Sequence, residues 1–314
     1  MLIAKINDYL KLYLKSCDSH ILVSVSGGID SMVLLHAIYK LQSIFNYKIH
    51  VIHFNYNMHG NSDKAEKLTK NLAMFYNTIF HSIQVTIPII NFESIARDNR
   101  YKYLIKYADS NNVKLILTAH HKDDQIETLY MKYLDNSDWI SKIGIRDKMG
   151  KILRPMINVS KWHILYYAKK NNIKWIEDLS NTNCKIRRND IRINILPKLK
   201  VNKPDFVRAL LYKQNIYKHR FDELKKITNN NINKFVKSLS NDYMVVNNKI
   251  TSLNDLIEFK FFYQKLLNSI DITVNTSKKH WLSYKKFLCD AKTGSYYSLN
   301  RNIKIIKDRE YHFI

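Results

Sequence analysis

The chain has 314 residues, room for two domains with real cores, and its 51 lysines and arginines against 27 acidic side chains leave a net charge of +24 at pH 7. That excess points to a polyanionic partner, while abundant Lys, Asn and Ile beside only 6 Gly and 4 Pro also fit a compositional bias of the genome. Three isolated cysteines, Cys17, Cys184 and Cys289, exclude a disulfide framework and supply no C-x-x-C pair for zinc or an iron–sulfur cluster, so a reducing cytoplasm is expected.

The opening MLIAKINDYLKLYLKS reads as a short amphipathic helix, since Lys5, Asp8, Lys11 and Lys15 interrupt what would be the apolar core of a signal peptide. No window is apolar for long enough to span a bilayer. Ile21 to Val25 has strand length and β-branched residues, and Met32 to Leu41 has helical periodicity. Between them lies Ser26-Gly-Gly-Ile-Asp-Ser31, where Gly27 and Gly28 let backbone N–H groups approach a ligand and the new helix adds its positive end. This is an anion cradle. It lacks the spacing and the lysine of a Walker A loop; Ser26 and Ser31 bring hydroxyls for phosphate oxygens, and Asp30 a carboxylate suited to Mg²⁺.

Further strands are expected at Lys48 to Phe54, Phe80 to Ile87, Val113 to Ala119 and Lys151 to Ile157. Helices are expected at Ser62 to Asn77, with Ser62 as N-cap, at Glu93 to Asp109 and from about Ser160. Such alternation implies a parallel sheet covered on both faces, with ligands at the carboxyl ends of its strands, where the glycine turn, His53 and His120 fall. Between Asp135 and Gly150 the pattern weakens into a polar connection. Pro197 and Pro204 bracket a basic stretch that reads as a domain boundary. Beyond it Phe206 to Asn230 and Asp255 to Asn268 are helical in period, and TGSYYSLNRNIKIIKDREYHFI alternates as strands do. Residues 201–314 carry 21 basic and 10 acidic side chains, the denser share of the excess.

The second chemistry-bearing string is Thr118-Ala-His-His-Lys-Asp-Asp-Gln-Ile-Glu-Thr128, leaving a buried strand and entering a helix. With an early helix start, His120, Asp124 and Glu127 share one face and can bind an ammonium group, place a metal or accept a proton; an acidic helix N-terminus favoured by the dipole is the plain alternative. A one-residue shift in that start exchanges Asp123 for Asp124. Glu93, Arg97 and Arg100 line one face as an exposed ion pair or as guanidiniums for RNA phosphates or a nucleotide. Lys185, Arg187, Arg188 and Arg192 form a charge run that is also read as a solvated face. The pairs Tyr166/Tyr167 and Tyr296/Tyr297 are core residues or surfaces for bases to stack on.

In order along the chain, S-G-G-I-D-S at 26–31, E-S-I-A-R-D-N-R-Y at 93–101, T-A-H-H-K-D-D-Q-I-E-T at 118–128, R-P-M at 154–156, E-D-L-S-N at 177–181 and R-N-D-I-R at 188–192 resemble the tRNA(Ile)-lysidine synthetases. The first string resembles the PP-loop of the ATP pyrophosphatase superfamily. The resemblance implies an α/β fold with a parallel doubly wound sheet of the PP-loop ATP pyrophosphatase type, followed by a smaller, mainly helical C-terminal domain. It divides the chain into a catalytic domain at 1–200 and a basic tRNA-binding domain at 201–314. It implies ATP-dependent adenylation at C2 of the wobble cytidine of a CAU-anticodon tRNA(Ile). Free lysine then displaces AMP to form lysidine, so the tRNA reads AUA. On this resemblance Ser26, Gly27, Gly28, Ile29, Asp30, Ser31 and His53 bind ATP and Asp30 places Mg²⁺. Asp30, His120, Asp124 and Glu127 are catalytic, Asp124 and Glu127 handle lysine, and Arg97, Arg100, Arg188 and Arg192 contact nucleotide or tRNA. It implies no tightly bound cofactor, no membrane and no protein partner beyond a homodimer.

The chain departs from the family at three places. His59 stands where an arginine is usual, which would make a phosphate or base contact there pH-dependent. Asp135-Asn-Ser-Asp-Trp-Ile-Ser replaces a glycine-rich stretch, and by the resemblance of its last segment to the end of the family's second domain the chain is expected to be a short form without a third domain. The alternatives are a PP-loop tRNA thiolase, opposed by the missing C-x-x-C, and an RNA-binding protein whose loop no longer turns over ATP.

Overall fold

The computed structural model describes all residues except 15–18, 58–59, 86–91, 178–181, 241–242, 271, 273, 275 and 302, together with the side chains of 92–94. It comprises two compact units, Met1–Asn215 and Ile216–Ile314. In the first unit α1 (Leu2–Lys11), β1 (His20–Ser24), α2 (Ile29–Phe45), β2 (Lys48–Asn55), α3 (Ser62–Phe75), β3 (Ile79–Gln84), α4 (Phe92–Ser110), β4 (Val113–Leu117) and α5 (Lys122–Leu134) follow one another. Next come β5 (Lys148–Met149), β6 (Ile152–Leu153), α6 (Lys161–Lys170), the single turn α7 (Arg187–Asp190), a π-helical stretch at Ile191–Ile195 and α8 (Leu196–Asn202). The unit boundary falls within α9 (Pro204–Phe235). Pro197 and Pro204 sit in the first turns of helices, where a missing N–H costs nothing. Ser62 opens α3 as its first residue, and Asn61 takes the cap position expected for it.

The sheet runs β3-β2-β1-β4-β6-β5, parallel throughout except for the edge pair β5 and β6. The period of two along β1 assigns its side chains to two cores. Ile21 and Val23 pack with α1, α2 and α6, whereas Leu22 packs with Ile52, Ile116 and the α4 residues Leu104 and Ala108. A strand buried on both faces needs a continuous apolar run, which is what Ile21-Leu22-Val23 is. The chain moves from β1 outward to β2 and β3, then returns to lay β4 on the other side of β1. The crevice at the carboxyl ends of β1 and β4 is therefore the topological switch point.

The second unit corrects the expectation of a mainly helical domain. Beside α10 (Leu256–Asn268) and α11 (Lys278–Asp290), the strands β7 (Val236–Leu239), β8 (Met244–Asn247), β9 (Tyr296–Ser298), β10 (Lys304–Lys307) and β11 (Tyr311–Phe313) form an antiparallel sheet in the order β7-β8-β11-β10-β9. The alternating segment expected at the end of the chain supplies β9, β10 and β11, whereas β7 and β8, of four residues each, are too short to display a period, and β8 gains its partner β11 only through a long-range pairing. Phe259, Phe262, Tyr263, Leu266 and Leu267 give α10 one apolar stripe, which joins Trp281, Tyr284, Val246 and Ile305 in a single core. Inside it the Tyr263 hydroxyl donates to His312 Nε2 at 2.8 Å, and His312 Nδ1 donates to Asn248 Oδ1 at 2.9 Å. Among the described residues no helix is long and apolar enough to cross a membrane.

Burial pushes the His312 pKa down from 6.5 to about 3. The unfolded chain thus binds a proton there that the folded unit refuses, so stability is complete above pH 6.5 and declines as the pH falls toward 3. Thermal unfolding between pH 7 and 4 should show this slope, and His312→Gln should make it shallower by the share of this one among several buried histidines.

Candidate active site

At the end of β1 the Val25 N–H still pairs with Ile52 O at 2.8 Å, after which the chain turns through Ser26, Gly27 and Gly28 into α2. Gly27 has φ +84°, and a Cβ there would lie 2.7 Å from the Cβ of Ala65 on α3, so both conformation and space demand glycine. The turn is braced from within. Ser31 Oγ donates to Gly28 O at 2.9 Å and accepts from Ser26 N at 3.1 Å, and Ser26 Oγ lies 3.2 Å from it. Gly28 caps α2 without a side chain, which leaves the first-turn N–H groups for an incoming anion. From β2, buried His53 donates through Nδ1 to Val25 O at 2.9 Å. Burial lowers its pKa against the pull of that hydrogen bond, so the ring is neutral and Nε2 is an acceptor.

Beside this turn β4 delivers the start of α5. His121 is the N-cap and forms a reciprocal capping box with Asp124: Asp124 N donates to His121 Nδ1 at 3.3 Å, and His121 N donates to Asp124 Oδ2 at 3.0 Å. His121 Nε2 then faces Asp30 Oδ1 at 3.6 Å and Asp124 Oδ2 at 3.5 Å, joining the two strand ends. Lys161, the first residue of α6, reaches both Asp30 oxygens at 2.6 and 2.8 Å.

The two adjacent aspartates have different tasks. Asp123 accepts from the Lys161 N–H at 2.7 Å and pairs with the Lys200 ammonium, which ties α5 to α6 and α8. Asp124 points inward, to Arg192 Nη2 at 3.0 Å. Glu127, one turn on and 1 % exposed, takes Arg192 in a bidentate pair at 2.7 and 2.8 Å and Arg188 Nε at 3.1 Å. Burial by itself would raise the Asp124 pKa; His121, its backbone N–H, His120 and Arg192 outweigh it and hold the carboxyl below its ordinary range. His120 accepts or donates at 3.1 Å with Thr118 Oγ1, and burial, reinforced by the Arg154 charge, pushes its pKa down to about 3.

The structure thus joins Asp30, Asp124, Glu127, Arg188 and Arg192 in one network with His120 at its side. The two arginines expected at nucleotide or RNA are here the partners of the carboxylates. Arg97 lies over the Tyr101 ring at 5.5 Å and near enough to act on His120, while Arg100 donates through Nε to the Tyr56 hydroxyl at 3.2 Å, close to His53. The Glu93 side chain and His59 lie outside the described residues. The sequence assigns no role to Lys161, or to His121 and Arg154 within their strings. An H-x-x-D capping pattern was there for His121, but nothing local links Lys161 to a carboxylate 131 residues away. Arg154 is 2 % exposed, bonded to Arg146 O and, at 3.0 Å, to the Tyr101 hydroxyl.

A family model described as a PP-loop domain matches residues 2–199. The chain is similar to curated proteins named tRNA(Ile)-lysidine synthase. Identity is 36 % with that of Treponema denticola over 198 residues, 58 % of this chain and 42 % of the relative. It is 32 % with that of Streptococcus pyogenes, over 83 % of this chain and 61 % of the relative. For Buchnera aphidicola it is 29 %, over 87 % of this chain and 60 % of the relative. The chain therefore spans less than two thirds of the length of these relatives. Among solved structures, a U34-tRNA thiolase from Methanococcus maripaludis aligns with a TM-score of 0.57 at 16 % identity, over 69 % of this chain and 78 % of that one, which shows a shared fold.

Two outcomes follow from the packing. Gly27→Ala should destabilise the chain by about 1–3 kcal/mol, because it adds a clash at Ala65 to a backbone conformation that alanine resists. Glu127→Gln should cost about 2–4 kcal/mol, less than a fully buried pair since Arg192 is partly exposed. Urea unfolding of each variant beside the parent measures both.

Proposed function

Because the chain belongs to the PP-loop domain family, we propose that it is a tRNA(Ile)-lysidine synthetase, which adenylates the wobble cytidine of a CAU-anticodon tRNA(Ile) with ATP and then joins free lysine to C2 of that base. One observation carries the reading beyond the similarity to proteins of that name. Asp30 of the glycine turn and Asp124 of α5 both face His121, so an anion cradle and a carboxylate cluster share one crevice. Phosphate chemistry and amine chemistry are then possible at one carbonyl group of one base, the first at its oxygen and the second at its carbon.

In the first step the cytidine O2 attacks the α-phosphorus of ATP, a P–O bond forms and pyrophosphate leaves. The N–H groups at the start of α2, with Ser26 and the Lys161 ammonium, hold the departing pyrophosphate where negative charge grows, while Ser31, its hydroxyl proton spent on Gly28 O, braces the turn that presents them. Neutral His53 accepts a hydrogen bond from the nucleotide. Asp30, whose two oxygens both face Lys161, would hold Mg²⁺ once that ammonium turns to the pyrophosphate, since the ion needs only one or two carboxylates and takes its other ligands from water and substrate phosphates. When bound, it supplies further neutralisation of the pyrophosphate.

In the second step the lysine nitrogen bonds to C2, loses a proton, and the C2–O bond breaks to release AMP. Asp124 orients the amine directly, and Glu127, closed off by Arg188 and Arg192, does so by holding those arginines around it. Arg188 and Arg192 already neutralise both carboxylates, so these do not trap the amine as ammonium, and nearby Lys161 and Arg97 favour its neutral, nucleophilic form. His120, uncharged above pH 4, adds an acceptor without adding charge. Residues 201–314, with 21 basic against 10 acidic side chains, are the tRNA-binding part in this reading, and 1–200 the catalytic part.

The test is incorporation of labelled lysine into an unmodified CAU-anticodon tRNA(Ile) transcript with ATP and Mg²⁺, beside elongator tRNA(Met), which shares the anticodon. Incorporation into the first alone is expected. Asp124→Ala should abolish transfer and leave RNA-dependent pyrophosphate release, whereas Asp30→Asn should lose both. Pyrophosphate release without lysine uptake by the parent would reject lysine as the nucleophile.

A further inference from the structure

We infer that the outer face of α6 is a stacking platform for unpaired RNA bases next to the catalytic crevice, an inference that rests on the function proposed above. Helix α6 turns Ile164 and Ala168 into the core, and Tyr167 bonds His36 Nδ1 through its hydroxyl at 2.9 Å. The opposite face leaves two large aromatic side chains outside. Trp162 is 65 % exposed and Tyr166 57 %. Spaced one turn apart, their rings stack with centroids 5.6 Å apart and planes 11° from parallel. His163 meets the indole edge-on at 5.0 Å.

A single exposed aromatic residue is ordinary on a protein surface. Two rings held parallel and out of the core form a pre-ordered apolar surface, costly to keep in water and suited to extending the stack by a third flat ring. The charge around them selects the kind of ring. Lys169 and Lys170 continue the same exposed face, and residues 148–176 hold seven basic side chains and no acidic one. A partner with flat apolar faces and regular negative charge is a nucleic acid strand. Like charge on a second copy of this chain opposes self-association there.

Position ties the platform to the reaction. Trp162 directly follows Lys161, whose ammonium holds Asp30 at the glycine turn, so the platform begins at the crevice end of α6. A wobble base can enter the crevice only by leaving its stack, and its neighbours then lose a stacking partner. Trp162 and Tyr166 replace that partner, and Lys169 and Lys170 take the phosphates.

Binding of a fluorescein-labelled CAU anticodon stem-loop to the full chain tests this, with nucleotide affinity measured in parallel. Each ring removed, in Trp162→Ala and Tyr166→Ala, should weaken RNA binding about tenfold, and the double variant more, with ATP affinity unchanged. Trp162→Tyr, which keeps a ring, should stay close to the parent. Tryptophan fluorescence of the parent should fall on adding the stem-loop, and the fall should vanish in Trp162→Phe. A double variant that binds the stem-loop like the parent overturns the platform while leaving the proposed reaction intact. So does a double variant that loses self-association in sedimentation but keeps its RNA affinity. A parent chain that binds no CAU stem-loop overturns both.

Discussion

Parallel pairing of β1 with β4 brings two chain segments with about 90 residues between them to one crevice, and the chemistry of the site depends on that adjacency. β1 ends in the glycine turn and β4 ends in the cap of α5, so both helix N-termini converge on the same volume. Their dipoles add, and the crevice favours anions before any side chain is counted. Asp30, Asp124 and Glu127 then bring negative charge into that field, and Lys161, Arg188 and Arg192 answer it. Without β1 beside β4, Asp30 and His121 would have no reason to be 3.6 Å apart.

Under the proposed function, the balance of charge is what lets one crevice take both a polyphosphate and an amine. A carboxylate cluster left bare would repel ATP and hold an amine as ammonium. Bidentate pairing of Glu127 with Arg192, and the contacts of Asp124 to Arg192 and His121, remove most of that field while keeping acceptor oxygens in place. The arrangement of arginines around acids is therefore part of the site itself. Breaking it would leave uncompensated charge in a place largely closed to water.

Much of the first unit was legible. Apolar runs of strand length alternating with helical periodicity yield the parallel sheet, and the S-G-G-x-D-S turn marks the crevice because only glycine tolerates its conformation at Gly27. The second unit was less so: alternation marks the segment of β9 to β11, but β7 and β8 are too short to carry a period, and the network of Tyr263, His312 and Asn248 links residues far apart in sequence. Of the pair Tyr166/Tyr167, only the fold decides that one faces His36 and the other faces out with Trp162.

By itself the sequence determined the local chemistry: a strand–turn–helix cradle, a helix that begins with acids, a basic balance, and the family motifs in order. These depend on interactions within a few residues, which composition and spacing encode directly. Tertiary structure decided which charges meet. That Asp124 rather than Asp123 points inward, that Arg188 and Arg192 serve Glu127, and that Lys161 closes on Asp30 are outcomes of strand order and helix phase. Such contacts join residues tens to more than a hundred positions apart, and no local pattern specifies them.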